Sequence, residues 1–205
     1  MKPIVLLPLV FIPSVEYLLW LREGAGITAH EPYGKQSFRN RTAIASAQGV
    51  QYLSLPVAKH TFPPPITQEI EITEHGGWRR TMFSALKTSY HNTPYWEHYE
   101  PEIKALLNYP TTLLTTYCYQ WLCWLCTQLR LPVPKLQTPQ SNTPVYREIA
   151  NRHHTCTIPL QRYWQVFEQQ QGFIPNLSGL DLLLHLGPEA TLYLRSQAPP
   201  PPPHS

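Results

Sequence analysis

Proline occupies 23 of the 205 positions, roughly twice its usual share of about 5%. A residue with a fixed φ and no amide hydrogen interrupts helix and sheet ladders alike. This chain is therefore expected to fold into few long elements joined by many loops. It still carries the material of a core: hydrophobic residues make up 42% and aromatics 12%, against only 14% charged. That balance is the reverse of a disordered chain's, and the length suits one domain with trimmings. The net charge of +3 is scattered with no basic stripe, which argues against a nucleic-acid partner.

The cysteines and the apolar runs bear on compartment. Cys118, Cys123 and Cys126 fall within Thr111–Leu129, which reads as a helix. There a C-x-x-C pair spans one helical turn, and no second pair follows at zinc spacing. His153-His154-x-Cys156 is the nearest partner. Buried free thiols are the plainer expectation, with no metal. The apolar run Pro3–Val15 imitates a secretion signal, but Pro3, Pro8, Pro13 and Glu16 break the helix such a segment needs. Between Lys104 and Arg130 no charge occurs, yet Asn108, Pro110, Gln120, Gln128 and several threonines make the stretch too polar for lipid. A cytoplasmic protein without a membrane span is expected.

Along the chain, Ile4–Leu7 reads as a buried strand, Val15–Arg22 as a helix capped by Ser14, and Ile27–Glu31 as a second strand. Strand, helix and strand within about 30 residues is the size of one βαβ unit. From Gln36 to Ile72 the period shifts toward two, with a turn at Gln48-Gly49 and a half-exposed strand at Ile70–Ile72. Helical stripes follow through Trp78–Tyr90, Trp96–Leu107 and Thr111–Leu129. Pro132–Pro144 is a connection, and Ser178-x-x-Asp181 opens a final helix that Gly187 closes. The expected class is α/β (or α+β): an N-terminal βαβ unit leading into a small mixed sheet, a helical middle and C-terminal helices. Residues 1–195 form one domain in this reading, and 196–205 a disordered polyproline tail.

Three polar clusters are candidates for chemistry. Lys35, Gln36, Arg39, Asn40 and Arg41 crowd cations, amides and a hydroxyl into one short stretch, and arginine's planar fork matches phosphate or carboxylate. Strand alternation places Arg39 and Arg41 on one face and Asn40 on the other. A second cluster holds Arg79, Arg80 and His91. A third gathers Tyr163, Gln165, Asn176, Ser178 and Asp181 around the last helix start, where capping already accounts for Ser178 and Asp181. No nucleophile elbow, metalloprotease helix or kinase set occurs.

Three stretches together resemble the WbqC-like protein family: Phe11-Ile12-Pro13-Ser14-Val15-Glu16-Tyr17; Tyr33-Gly34-Lys35-Gln36-Ser37-Phe38-Arg39-Asn40-Arg41 with Leu53-Ser54-Leu55-Pro56-Val57; and Phe173 through Leu183. The likeness spans roughly residues 3–195 and is closest to the Bacteroidetes-type form. Leu7-Pro8 departs from it, since a Gln-Pro pair is common there. The resemblance implies a small transferase of surface polysaccharide (O-antigen-like) biosynthesis, and it carries no agreed catalytic residues or cofactor. On motif and chemistry together, the ligand-binding candidates are Lys35, Gln36, Arg39, Asn40, Arg41, Asn176 and Ser178. Asp181 and His91 are the candidate bases. The expected ligand is an anionic small molecule, a nucleotide-sugar or acyl donor. The alternative is a non-enzymatic binding or assembly protein, with a homodimer among its forms, that grips an acidic ligand or partner through the same arginines.

Overall fold

In the computed structural model, which describes residues 5–156 and 158–201, the chain opens with a strand–helix–strand unit. β1 (Leu6–Pro8) runs parallel to β2 (Gly26–Thr28), with Leu6 opposite Gly26. Ile4, assigned to the first strand on sequence, lies outside the described residues. Between the strands, α1 (Val15–Arg22) is capped by Ser14, whose hydroxyl accepts the Tyr17 amide. The proline-studded connection adds an edge on either side, Val145 beside Leu6 and Leu136 beside Ile27. With Pro134, Pro139 and Pro144 lacking amide hydrogens, these edges remain single bridges.

The period-two region forms a separate antiparallel hairpin. β3 (Arg41–Ser46) and β4 (Gly49–Ser54) pair from Arg41–Ser54 to Ser46–Gly49. Thr42, Ile44 and Leu53 are buried, while Ala43, Val50 and Tyr52 share the outer face. The ladder starts later than alternation predicts, because Lys35–Asn40 is a turn. Ser37 Oγ donates to the Gly34 carbonyl at 2.7 Å and accepts the Arg39 amide at 3.4 Å, local bonds that compete with strand pairing. Arg39 and Arg41 are thus not successive same-face residues of one strand. Ile70–Ile72 reduces to isolated bridges, Val57 with Ile72 and Glu71 with Leu113.

Helices fill the rest: α2 (Trp78–Tyr90), α3 (Trp96–Leu107), α4 (Leu114–Gln128), the short α5 (Glu168–Gln171), α6 (Gly179–Leu186) and α7 (Ala190–Ser196). α2 and α3 bury one stripe each, whereas every residue of α6 from Gly179 to His185 is buried. A helix buried on all sides runs through a core rather than over it. The start of α6 lies against the start of α1: the Val15 amide donates to Leu177 O at 3.0 Å and the Gly179 amide to Pro13 O at 2.7 Å. Gly179 permits this approach, since a β-carbon there would stand 2.5 Å from Leu18 and 2.8 Å from Leu125.

Helices with two small two-stranded sheets make this an α/β or α+β fold. At the C-terminus Gln197 is buried, and its carbonyl accepts Arg22 Nη1 at 3.0 Å. Of the expected polyproline tail, residues 202–205 lie outside the described residues. Among the described residues no helix is long and apolar enough to cross a membrane.

Candidate functional site

Where α1 and α6 begin, the fold leaves a cleft of about 270 Å³. One wall is Phe38, Tyr52, Thr42 and Val50, with the two aromatic rings 6.3 Å apart. The other wall carries Arg152, His154, Cys156, Asn176 and Ser178. Behind His154 lies Glu16, a buried carboxylate on the first turn of α1. His154 Nε2 is 2.8 Å from Glu16 Oε2. Asn176 locks that carboxylate from the far end of the chain: its Oδ1 accepts the Glu16 amide at 2.8 Å, and its Nδ2 reaches Oε2 at 3.4 Å. Asn176 and Ile12, both at the cleft, have left-handed backbones with φ of 56° and 40°. A β-branched residue in that region costs on the order of 1–2 kcal/mol, and such strain gathers at functional sites.

The electrostatics of the cleft narrow what it can do. The first-turn amides of α1 are taken by the protein: Val15 by Leu177 O, Glu16 by Asn176 and Tyr17 by Ser14. The helix start is therefore not an open anion site. Burial, with the Glu16 carboxylate nearby, pushes the Cys156 thiol up to about 12. It stays protonated near neutral pH and is not a thiolate nucleophile. What remains is an imidazole fixed by a carboxylate and facing an open cleft, the arrangement of an oriented general base.

Of the sequence candidates, Asn176 and Ser178 line this cleft, and Gln36 reaches its rim by accepting a bond from Arg152. Lys35 is exposed. Arg39, Asn40 and Arg41 are not among the lining residues, although Phe38 and Thr42 are. The charges of both arginines act instead on the buried Tyr33. Arg39 is only 7% exposed. Burial lowers its guanidinium from the ordinary value, an effect Glu31 opposes. Burial likewise pushes the Tyr33 phenol up to about 12, although both arginines pull the other way. Asn40 donates to Leu55 O at 2.9 Å, tying the turn to the end of β4.

Asp181 and His91 are not together. His91 is exposed at the end of α2, with Nδ1 2.9 Å from the Lys87 carbonyl. Asp181 is 0% exposed and accepts hydrogen bonds from Tyr163 at 2.6 Å, Tyr90 at 2.9 Å and Gln165 at 3.4 Å. Its own α6 neighbour His185 donates from Nδ1 to the Asp181 carbonyl at 2.7 Å and accepts the Val166 amide at Nε2. The third sequence cluster thus assembles, as a sealed network that ties residues 163–166 to α6. Burial, then the Asp181 charge, pushes both tyrosine phenols well above their ordinary value.

A larger groove of about 660 Å³ lies between the hairpin and α2, but hydroxyls and amides line it and Arg80 is its one charged residue. Among the described residues no group of three or more His, Cys, Asp or Glu could hold a metal ion. The residues that sequence reasoning missed are Glu16, which reads as a charge interrupting an apolar run, and His154, which reads as a distant metal partner. Glu16 stands within the quoted Phe11–Tyr17 stretch, whereas His154 lies outside every quoted stretch and carries no such signal.

Compared with known sequences, a family model described as "WbqC-like protein family" matches residues 25–154, more than half of the chain. The match includes the Tyr33–Arg41 turn, the hairpin and His154, and leaves Glu16 and Asn176 outside. No curated protein and no solved structure matches the chain.

Proposed function

This chain belongs to the WbqC-like protein family, and we propose that it is a small transferase acting on an activated anionic donor, a nucleotide-sugar or acyl donor, in the biosynthesis of a surface polysaccharide of the O-antigen kind. The observation that carries the reading is the Glu16–His154 pair, 2.8 Å apart, at an open cleft. With Nε2 held by Glu16, Nδ1 of His154 is the nitrogen left for a reactant. An acceptor hydroxyl or amine in the cleft gives its proton to Nδ1 as its lone pair attacks the donor's activated carbon. The anionic leaving group departs with the bonding electrons. In this reading Arg152, on the wall of the cleft and bonded to His153 and Gln36, meets that developing charge. Asn176 acts through Glu16, as a positioning residue.

The test offers the protein nucleotide-sugars and aminoacyl-adenylates in turn, with hydroxyl and amine acceptors, and follows product mass. Transfer from one donor class, lost in His154→Gln while the donor still binds, is the expected result. Binding with no transfer from any donor favours the second reading, a binding or assembly protein. That reading has one observation of its own: among the described residues the buried Nε atoms of Arg39 and Arg41 have no hydrogen-bond partner.

A further inference from the structure

Buried polar groups in folded proteins find partners, and a buried charge without one is costly. Among the described residues, seven buried side-chain atoms lack a hydrogen-bond partner. Three are indole nitrogens; the other four are Arg39 Nε, Asn40 Oδ1, Arg41 Nε and His60 Nε2. Of these, Arg39, Arg41 and His60 all lie near Tyr33. The His60 ring stands edge-on to Tyr33 at 5.3 Å, and Tyr33 lies within the field of both arginines. Among the described residues no side-chain hydrogen bond or ion pair reaches either guanidinium. The nearby acid, Glu31, is already engaged by Nε and Nη2 of Arg147. Arg39 Nη1 lies beside Gly34, where a β-carbon would stand 3.4 Å from it.

We infer that the 33–41 turn is an oxyanion site that takes a phosphoryl or pyrophosphoryl group through Arg39 and Arg41. Among the described residues neither guanidinium has a hydrogen-bonded acid, since the Glu31 carboxylate that acts on Arg39 is bonded to Arg147; the pair suits a group carrying about two negative charges, and their planar forks match its paired oxygens. The site goes beyond the transferase reading and stands without it: the cleft can prove inert while the turn still binds phosphate.

The test is thermal unfolding of the full chain in sodium pyrophosphate, against sodium chloride of equal ionic strength and against citrate. At saturation, pyrophosphate is expected to raise the wild-type midpoint by about 5 °C beyond the chloride control. Arg39→Met loses that rise and, without anion, melts no lower than wild type, because an uncompensated buried charge has gone. Arg41→Gln, at a half-buried position, weakens the response with the fold intact, and His154→Gln leaves it unchanged. No rise beyond chloride overturns the proposal. So does an Arg39→Met chain that melts far below wild type, which would make the guanidinium a strut of the fold. A rise in citrate equal to that in pyrophosphate overturns the phosphoryl assignment.

Discussion

Nε2 of His154 lies 2.8 Å from Oε2 of Glu16 across 138 positions of sequence. Glu16 in turn has its amide capped by Asn176, 160 positions away. Three segments distant in the chain therefore fix one imidazole at the edge of the cleft.

If that imidazole is the base of a transfer reaction, His154→Gln lowers kcat by about 10²- to 10⁴-fold, the usual range for general base catalysis. Glu16→Gln lowers it less, because the ring keeps a hydrogen-bond partner. Neither changes the donor's dissociation constant. Kinetics and equilibrium binding on the same preparations check both.

Asn176 has two separable roles, a cap on Glu16 and a left-handed backbone. Asn176→Ala loses both and destabilises by about 1–3 kcal/mol. Asn176→Gly loses only the cap and costs about 1 kcal/mol less than alanine. Urea unfolding of the two variants reads the difference directly.

Asp181→Ala strands the hydroxyls of Tyr90 and Tyr163 in the core. Each unpaired buried group costs about 1–3 kcal/mol, so the chain should lose about 2–6 kcal/mol or fail to fold. Tyr163→Phe removes one donor and should cost about 1 kcal/mol. Denaturant midpoints rank the two, and activity lost at Asp181 would follow the lost fold.

Burial raises the pKa of many groups in the folded chain: the Cys126 and Cys156 thiols and the Tyr146 and Tyr193 phenols are pushed up to about 12. Raised values mean that the unfolded chain ionises first. Stability is thus at its full level below about pH 8.5, where unfolded thiols are still protonated, and falls as pH rises toward 12. Urea midpoints at pH 8, 9.5 and 10.5 should drop progressively. A midpoint that holds steady across that range contradicts the burial of these groups.

Local pattern carried far in this chain. Ser14 and Ser178 were legible as helix caps, and the helices of residues 15–22, 78–90 and 96–107 as apolar stripes, because capping and periodicity act within a few residues. The cationic turn was legible by composition, yet the facing of its side chains was not. Ser37 closes a local turn through Gly34 and Arg39, and this replaces the alternation that a strand would have imposed.

What the sequence by itself determined is the first strand–helix–strand unit, most of the helices with their caps, and the presence of an arginine-rich segment. These depend on short-range hydrogen bonding and on which residues shun water. What only the tertiary structure decided is which polar groups are satisfied. Asp181 finds Tyr90 and Tyr163 and is sealed, Glu16 finds His154 and Asn176 beside an open cleft, and the Arg39 guanidinium finds no hydrogen-bond partner among the described residues. Whether a buried polar side chain has a partner depends on segments brought together by burial of the apolar faces, and no local spacing encodes that meeting.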